Sequence, residues 1–220
     1  MKRKNALWSK VEQFLVERLL PSDPILDAAL AASAAAKLPN IQVSPVEGQL
    51  LFMLAQAMRA TRILEVGTLG GYSTICLARA LPPDGTLVTL EVDPRHAAVA
   101  RANIERAGLL SRVDLRVGVA LDTLPGLRGP FDLAFIDADK ENNASYFDWA
   151  LKLSRPGSLI IVDNVIREGA ILAGQSKDSA VQGVRRFFAR VQAEPRVQAT
   201  AIQTVGSKGH DGMAFLLVTT

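Results

Sequence analysis

Five short apolar segments, each followed by a stretch of helical length, constrain this chain more than any other feature. They are Arg62–Val66, Thr86–Val92, Val113–Val117, Phe131–Ile136 and Ser158–Val162. Short strands alternating with helices require a mainly parallel sheet covered on both faces, because a parallel neighbour is reached only through a crossover. Helices are expected from the glycine turn after Val66 to near Leu81, from Asp93-Pro94 to Gly108, and over Glu141–Leu153 and Ser179–Gln192. Val197–Thr204 and Met213–Thr219 follow one another with no helix between them, so they read as a closing antiparallel hairpin. The expected fold is α/β: a seven-stranded, mainly parallel sheet of Rossmann-like, doubly wound type, with helices on both faces and that hairpin at its C-terminal edge.

The first sixty residues read as three helices, the third opened by a capping box in Ser44-Pro45-Val46-Glu47. In the first, Leu7, Val11, Phe14, Leu15 and Leu19 recur at helical spacing. With no repeat and no dividing linker, 1–220 is expected to be one domain, a helical segment over 1–60 ahead of a core over 61–220. A composition 49% hydrophobic and 21% charged is that of a globular chain, not a disordered one. Charged residues interrupt both the N-terminal helix and the flanks of the Ala28–Ala36 run, so no membrane span is expected. The net charge of +3 is scattered, with local basic clusters only at Met1–Lys4 and Arg185–Arg186, and this excludes a nucleic-acid groove. Cys76 is the only cysteine, which agrees with a cytoplasmic protein. With two distant histidines, His96 and His210, a His- or Cys-based zinc centre is excluded, and all three residues read as structural or surface groups.

Sheets of this kind bind ligands at the carboxyl ends of their strands, and the notable residues fall there. The first strand ends in Glu65-Val66-Gly67-Thr68-Leu69-Gly70-Gly71-Tyr72-Ser73, a turn whose glycines let backbone approach a ligand. Glu91 ends the second strand, where a carboxylate can accept hydrogen bonds from both hydroxyls of a ribose. The dinucleotide pattern needs Gly-x-Gly-x-x-Gly facing a pyrophosphate; here the spacing is Gly67-x-x-Gly70-Gly71, with the acidic Glu65 just before it. An acid at this loop suits a cationic ligand, and S-adenosylmethionine, a sulfonium carrying a nucleoside, is one.

The fourth strand ends in Asp137-Ala138-Asp139-Lys140 and the fifth in Asp163-Asn164. Asp137, Asp163 and Asn164 make an oxygen-only set suited to Mg²⁺ or a similar hard ion. Three protein ligands leave about three positions on an octahedral ion, enough for the vicinal oxygens of a catechol and a water. Chelation makes a phenol oxygen a better nucleophile, and Lys140 is placed to take or hold the proton. Asp139 reads as a helix cap, and Tyr146 and Trp149 as packing for the helix that follows.

Together, Val43-Ser44-Pro45, Glu65–Ser73, Glu91, Asp137–Lys140 and Asp163-Asn164 resemble, in order, the cation-dependent O-methyltransferases that include the catechol and caffeoyl-CoA enzymes. The resemblance covers roughly residues 40–220. It implies the class I methyltransferase fold, a metal held by Asp137, Asp163 and Asn164, and Lys140 as general base. It also implies cofactor contacts from Val43, Glu65, Gly67, Ser73, Glu91, Ala120 and Asp137, with Gly118-Val119-Ala120 against the adenine. Asp137-Ala138-Asp139-Lys140 is similar to the plant and bacterial branch, and Asn143 stands where many relatives carry an aromatic. The loop from Asn164 to Gly169 is similar to bacterial catechol enzymes. That favours a small aromatic vicinal diol over a caffeoyl-CoA-type ester, with a homodimer as the assembly the resemblance implies.

Three other classes share parts of the pattern. An NAD-dependent oxidoreductase would share the fold and Glu91 but leaves Asp137, Asp163 and Asn164 unexplained. Base-directed methyltransferases carry an Asn/Asp-Pro-Pro-aromatic motif where this chain has Asp137–Lys140. A non-catalytic binding protein of the same fold would be expected to have lost a ligand or the lysine, and all four are present.

Overall fold

The computed structural model describes residues 2–220, with side chains from residue 6 onward, so the basic Met1–Lys4 cluster lies outside the described side chains. Three helices come first: α1 (Lys2–Leu19), α2 (Pro24–Ala35) and α3 (Pro45–Ala57). Asp23 caps α2 by accepting the Ile25 and Leu26 amides, with Pro24 preset at the first helical position. The capping box of α3 is complete. Ser44 Oγ accepts the Glu47 amide at 3.4 Å and Glu47 Oε2 accepts the Ser44 amide at 2.8 Å.

Strands and helices then alternate as β1 (Arg62–Val66), α4 (Tyr72–Ala80), β2 (Thr86–Glu91), α5 (Pro94–Arg106) and β3 (Val113–Val117). They continue with α6 (Ala120–Thr123), β4 (Phe131–Ile136), α7 (Asn143–Lys152), β5 (Ser154–Asp163), α8 (Ser179–Gln192), β6 (Val197–Gly206) and β7 (Gly209–Val218). The seven strands form one sheet in the order β3-β2-β1-β4-β5-β7-β6. β1 to β5 pair in parallel, and β7 runs antiparallel to both β5 and β6. The order reverses between β1 and β4, and a crevice for a ligand opens at such a switch.

Side chains alternate along each strand, so the sheet carries two cores. Leu64, Val66, Ala134 and Ile136 face α7 and α8, where Phe147 and Phe187 are fully buried. Ile63, Leu133 and Phe135 face α3 and α4, packing with Leu51, Ile75 and Leu77. At the lower end of β1 and β4, Asp132 Oδ2 accepts the Thr61 and Arg62 amides and the Thr61 hydroxyl, and Oδ1 accepts from Arg155. No helix among the described residues is long and apolar enough to cross a membrane.

Three readings need correction. β3 has the expected bounds but is half-exposed at the sheet edge, not an apolar core strand. β5 begins at Ser154 rather than Ser158, because a register shift against Phe131–Leu133 admits Arg155-Pro156-Gly157 into the strand. The helix expected from Glu141 starts as a 3₁₀ turn over Lys140–Asn142, with α7 proper beginning at Asn143.

Candidate active site

β1 delivers the glycine loop. Gly67 has φ of +98°, and a Cβ there would stand 2.1 Å from the Asp137 carbonyl oxygen. Only glycine lets the first strand end lie against the fourth. Glu65 lies beneath this loop, fully buried and off the cavity wall. Its carboxyl accepts hydrogen bonds from Ser73 Oγ at 2.7 Å, Thr74 Oγ1 at 2.5 Å and Thr89 Oγ1 at 2.6 Å. Burial raises its pKa from 4.5 to about 7, with Asp137 adding to the rise and the three hydroxyls opposing it. Glu65 therefore props the loop from behind, and Ser73 and Gly67 present the surface.

Glu91 is placed at the end of β2 as expected, and it too has a structural duty. Its Oε2 accepts the Thr68 and Leu69 amides at 3.2 and 2.8 Å, and its Oε1 accepts the Asp93 amide at 2.9 Å. His96, read from sequence as structural or surface, stands on the same wall. Its Nδ1 lies 3.5 Å from Glu91 Oε1, in the first turn of α5. The turn from Asp93 to His96 holds the only sequence signal for it: a helix start just after a strand end points its first-turn side chains back toward the sheet rim. Ala120, at the start of α6, and Val43, in the loop before α3, close the cavity from opposite sides.

The other rim is built by β4 and β5. Asp137 follows β4, and Lys140, in the next 3₁₀ turn, donates from Nζ to Asp137 Oδ1 at 2.7 Å. Both partners are largely withdrawn from water, with the Lys140 side chain 9% exposed. Asp139 is held by the Tyr146 hydroxyl and the Asn142 amide, each at 2.5 Å, so it braces the turn. Tyr146 borders the cavity as well as packing α7; Trp149 packs only against the core and Lys152. Asn143 is buried off the cavity wall, and the neighbouring Asn142 lines it instead.

Asp163, at the end of β5, is 3% exposed and accepts the Asn164 amide at 2.6 Å. Burial pushes its carboxyl well above the ordinary carboxylate range, and the nearby Asp137 and Glu47 push the same way. Asn164 follows with φ of +57°, a left-handed conformation that few side chains adopt and that tends to mark functional sites. Among the described residues no three His, Cys, Asp or Glu side chains gather as a metal cluster; the candidate set reaches three only through the Asn164 amide oxygen. Two acidic groups forced together under burial, with an amide oxygen beside them, fit a hard divalent cation, whose charge would offset their repulsion.

Two cavities meet here. One of about 660 Å³ is lined by the glycine loop, Glu91, His96, Gly118–Ala120, Asp137 and Lys140. A second, of about 420 Å³, lies between the loop before α3 and the β6–β7 hairpin and is lined by Glu47, Asp163 and Lys208 among others. Ile41, Gln42, Val43, Asn164 and Arg167 border both. Both volumes fall in the usual range for small-molecule sites. Asp137 and Lys140 face one, Asp163 faces the other, and Asn164 stands at the junction.

The O-methyltransferase family profile matches residues 20–217. Over 209 residues the chain is 56% identical to a catechol O-methyltransferase from Mycobacterium tuberculosis, covering 94% of each chain. A catechol O-methyltransferase from Niastella koreensis is 52% identical over 218 residues, covering 97% of this chain and 99% of that one. The crystal structure of an O-methyltransferase from Bacillus cereus in complex with SAH superposes with a TM-score of 0.96 at 53% identity, covering 97% of this chain and 99% of that one. Sequence, fold and the placement of the strand-end residues agree: the chain belongs to the O-methyltransferase family.

Proposed function

We propose that this enzyme transfers the methyl group of S-adenosylmethionine to one oxygen of a small catechol, with a divalent cation held by Asp137, Asp163 and Asn164. The observation that carries this reading is that the two cavities meet at Asn164, with Asp137 lining one and Asp163 the other, and the Lys140 amine buried beside Asp137. Similarity to two enzymes named catechol O-methyltransferase supports the acceptor. A divalent ion on this set supplies charge stabilisation for a phenolate and fixes a chelating diol in place.

The protein side groups supply the rest. Lys140 Nζ takes the proton of the reacting hydroxyl. Asp137 Oδ1, already its partner at 2.7 Å, then accepts a hydrogen bond from the ammonium that forms. The oxygen's electron pair forms the new bond to the methyl carbon as the methyl–sulfur bond breaks, leaving S-adenosylhomocysteine. Val43, Gly67, Ser73, Glu91 and Ala120 would hold the donor along the larger cavity, beside Asp137, with Glu65 fixing the loop that Gly67 and Ser73 belong to. Much of the acceleration then comes from aligning two bound reactants.

We also infer a cytoplasmic homodimer. α1 is built inside out: Leu7, Val11, Phe14 and Leu19 are 60, 49, 56 and 70% exposed, and Glu12 is the buried one among its described side chains. Glu12 Oε2 accepts the Ser207 amide at 2.8 Å, so the helix is tied to the β6–β7 turn with its apolar stripe outward. Such a stripe suits a second copy of the same helix.

The acceptor is tested by offering free catechols and a caffeoyl-CoA-type ester under identical donor conditions. The 420 Å³ cavity predicts kcat/KM at least about tenfold higher for the free catechol, the discrimination of one poorly fitted contact or more. A preference for the ester would replace this acceptor with the larger one.

A further inference from the structure

We propose that α8 positions the Lys140 amine through one face made of Ser179, Gly183 and Arg186. The inference rests on the reading of Lys140 as proton acceptor. None of the α8 residues lines either cavity, yet the helix touches the turn that carries the lysine at three successive points. Ser179 Oγ donates to Glu141 Oε1 at 2.6 Å, and Arg186 Nη2 donates to the Glu141 carbonyl oxygen at 3.0 Å. Between them, a Cβ on Gly183 would stand 2.1 Å from the Lys140 carbonyl oxygen and 2.6 Å from Glu141 Cα. Residues 179, 183 and 186 are spaced four and three apart, so they share one helix face.

The turn needs such a support. Lys140–Asn142 is a single 3₁₀ turn, and a piece that short cannot fix its own position. The helix can, because its Val181, Val184 and Phe187 are buried in the core and Asp178 caps its first turn. A glycine in mid-helix is disfavoured against alanine. Its presence at 183 follows from the close approach: only there does helix backbone lie directly on the backbone of Lys140. Neighbouring α8 residues also hold the segment that follows β5, with Gln182 donating to the Ser176 carbonyl at 2.6 Å and Arg185 to the Ile171 carbonyl at 2.5 Å.

The test is steady-state kinetics on Gly183→Ala, on the double variant Ser179→Ala/Arg186→Ala, and on Lys140→Ala, with thermal midpoints for each. For Gly183→Ala, the new Cβ must push the turn by about 1 Å to reach even a 3.0 Å contact. A displacement of that size lowers kcat about 10- to 100-fold with donor KM little changed, and it lowers the thermal midpoint as well because the clash is with backbone. The double variant loses two surface contacts without a clash, keeps its fold and shows the same split to a smaller degree. Gly126→Ala, where a Cβ meets nothing within 4 Å, is the control and keeps full activity. If Lys140→Ala abolishes turnover while the other two keep kcat, the positioning role is overturned. Parallel loss of kcat, donor KM and thermal midpoint in the double variant overturns it equally. If Lys140→Ala itself retains turnover, the proton-acceptor reading is what fails.

Discussion

A carboxyl that ionises near neutrality inside the fold makes stability depend on pH, and Glu65 is such a group. Its pKa stands near 7 in the folded chain against 4.5 ordinarily. Between those values the folded state keeps a proton that the unfolded state has released, so stability falls as pH rises. The contribution is fully present below 4.5, is lost across the window and is gone above about 7, in total about 3 kcal/mol. Glu65→Gln removes the titrating group, so the difference in urea stability between native and variant chains should favour the native chain more at pH 5 than at pH 8. A difference that is flat in pH would show that the carboxyl is not perturbed. His96 carries a second residue-scale prediction. Standing beside Glu91 on the wall of the larger cavity, it would offer a ring N–H to the proposed donor, so His96→Ala should weaken donor binding about 2- to 10-fold by calorimetry, with kcat kept at saturating donor. Unchanged donor affinity would return His96 to a structural role.

At the scale of elements, α7 offers the clearest test. Asn143 is fully buried in its first turn, and neither amide atom has a hydrogen-bond partner among the described residues. Asn143→Leu removes that cost and should raise stability by about 1–3 kcal/mol, read from urea unfolding; a loss of stability would mean the amide is satisfied. Much of the element pattern was legible from local signals. β3, β4 and α8 match their expected bounds because apolar runs, caps and glycines sit at their ends. What stayed hidden depends on distant partners. Asp132 organises the start of β1 from some seventy residues away. Pro156 and Gly157 resemble a turn until β4 is seen pairing with Ser154 and Leu159 on either side of them. Glu65 has the composition of a ligand-binding acid, and only the fold reveals that three hydroxyls from α4 and β2 claim it. Asp137, Asp163 and Asn164 stand out as candidates in the sequence because they sit at or just past strand ends, with Lys140 one turn on, and the sheet order makes β4 and β5 neighbours.

At the scale of the whole molecule, two surfaces define what the chain does. The outward stripe of α1 predicts self-association, so Phe14→Glu, which puts a charge at its centre, should shift the protein from dimer to monomer in sedimentation. A native chain that sediments as a monomer would remove the dimer from the account. The paired cavities predict chemistry on an acceptor gripped through two adjacent oxygens. The most direct measurement is methyl transfer from S-adenosylmethionine to catechols and to their monohydroxy analogues, with EDTA and with Mg²⁺ restored. Catechol-only activity that is abolished by the chelator and recovered with Mg²⁺ is the predicted result. Equal turnover of monophenols, unaffected by EDTA, would contradict it and leave Asp137, Asp163 and Asn164 as structural residues of the strand ends.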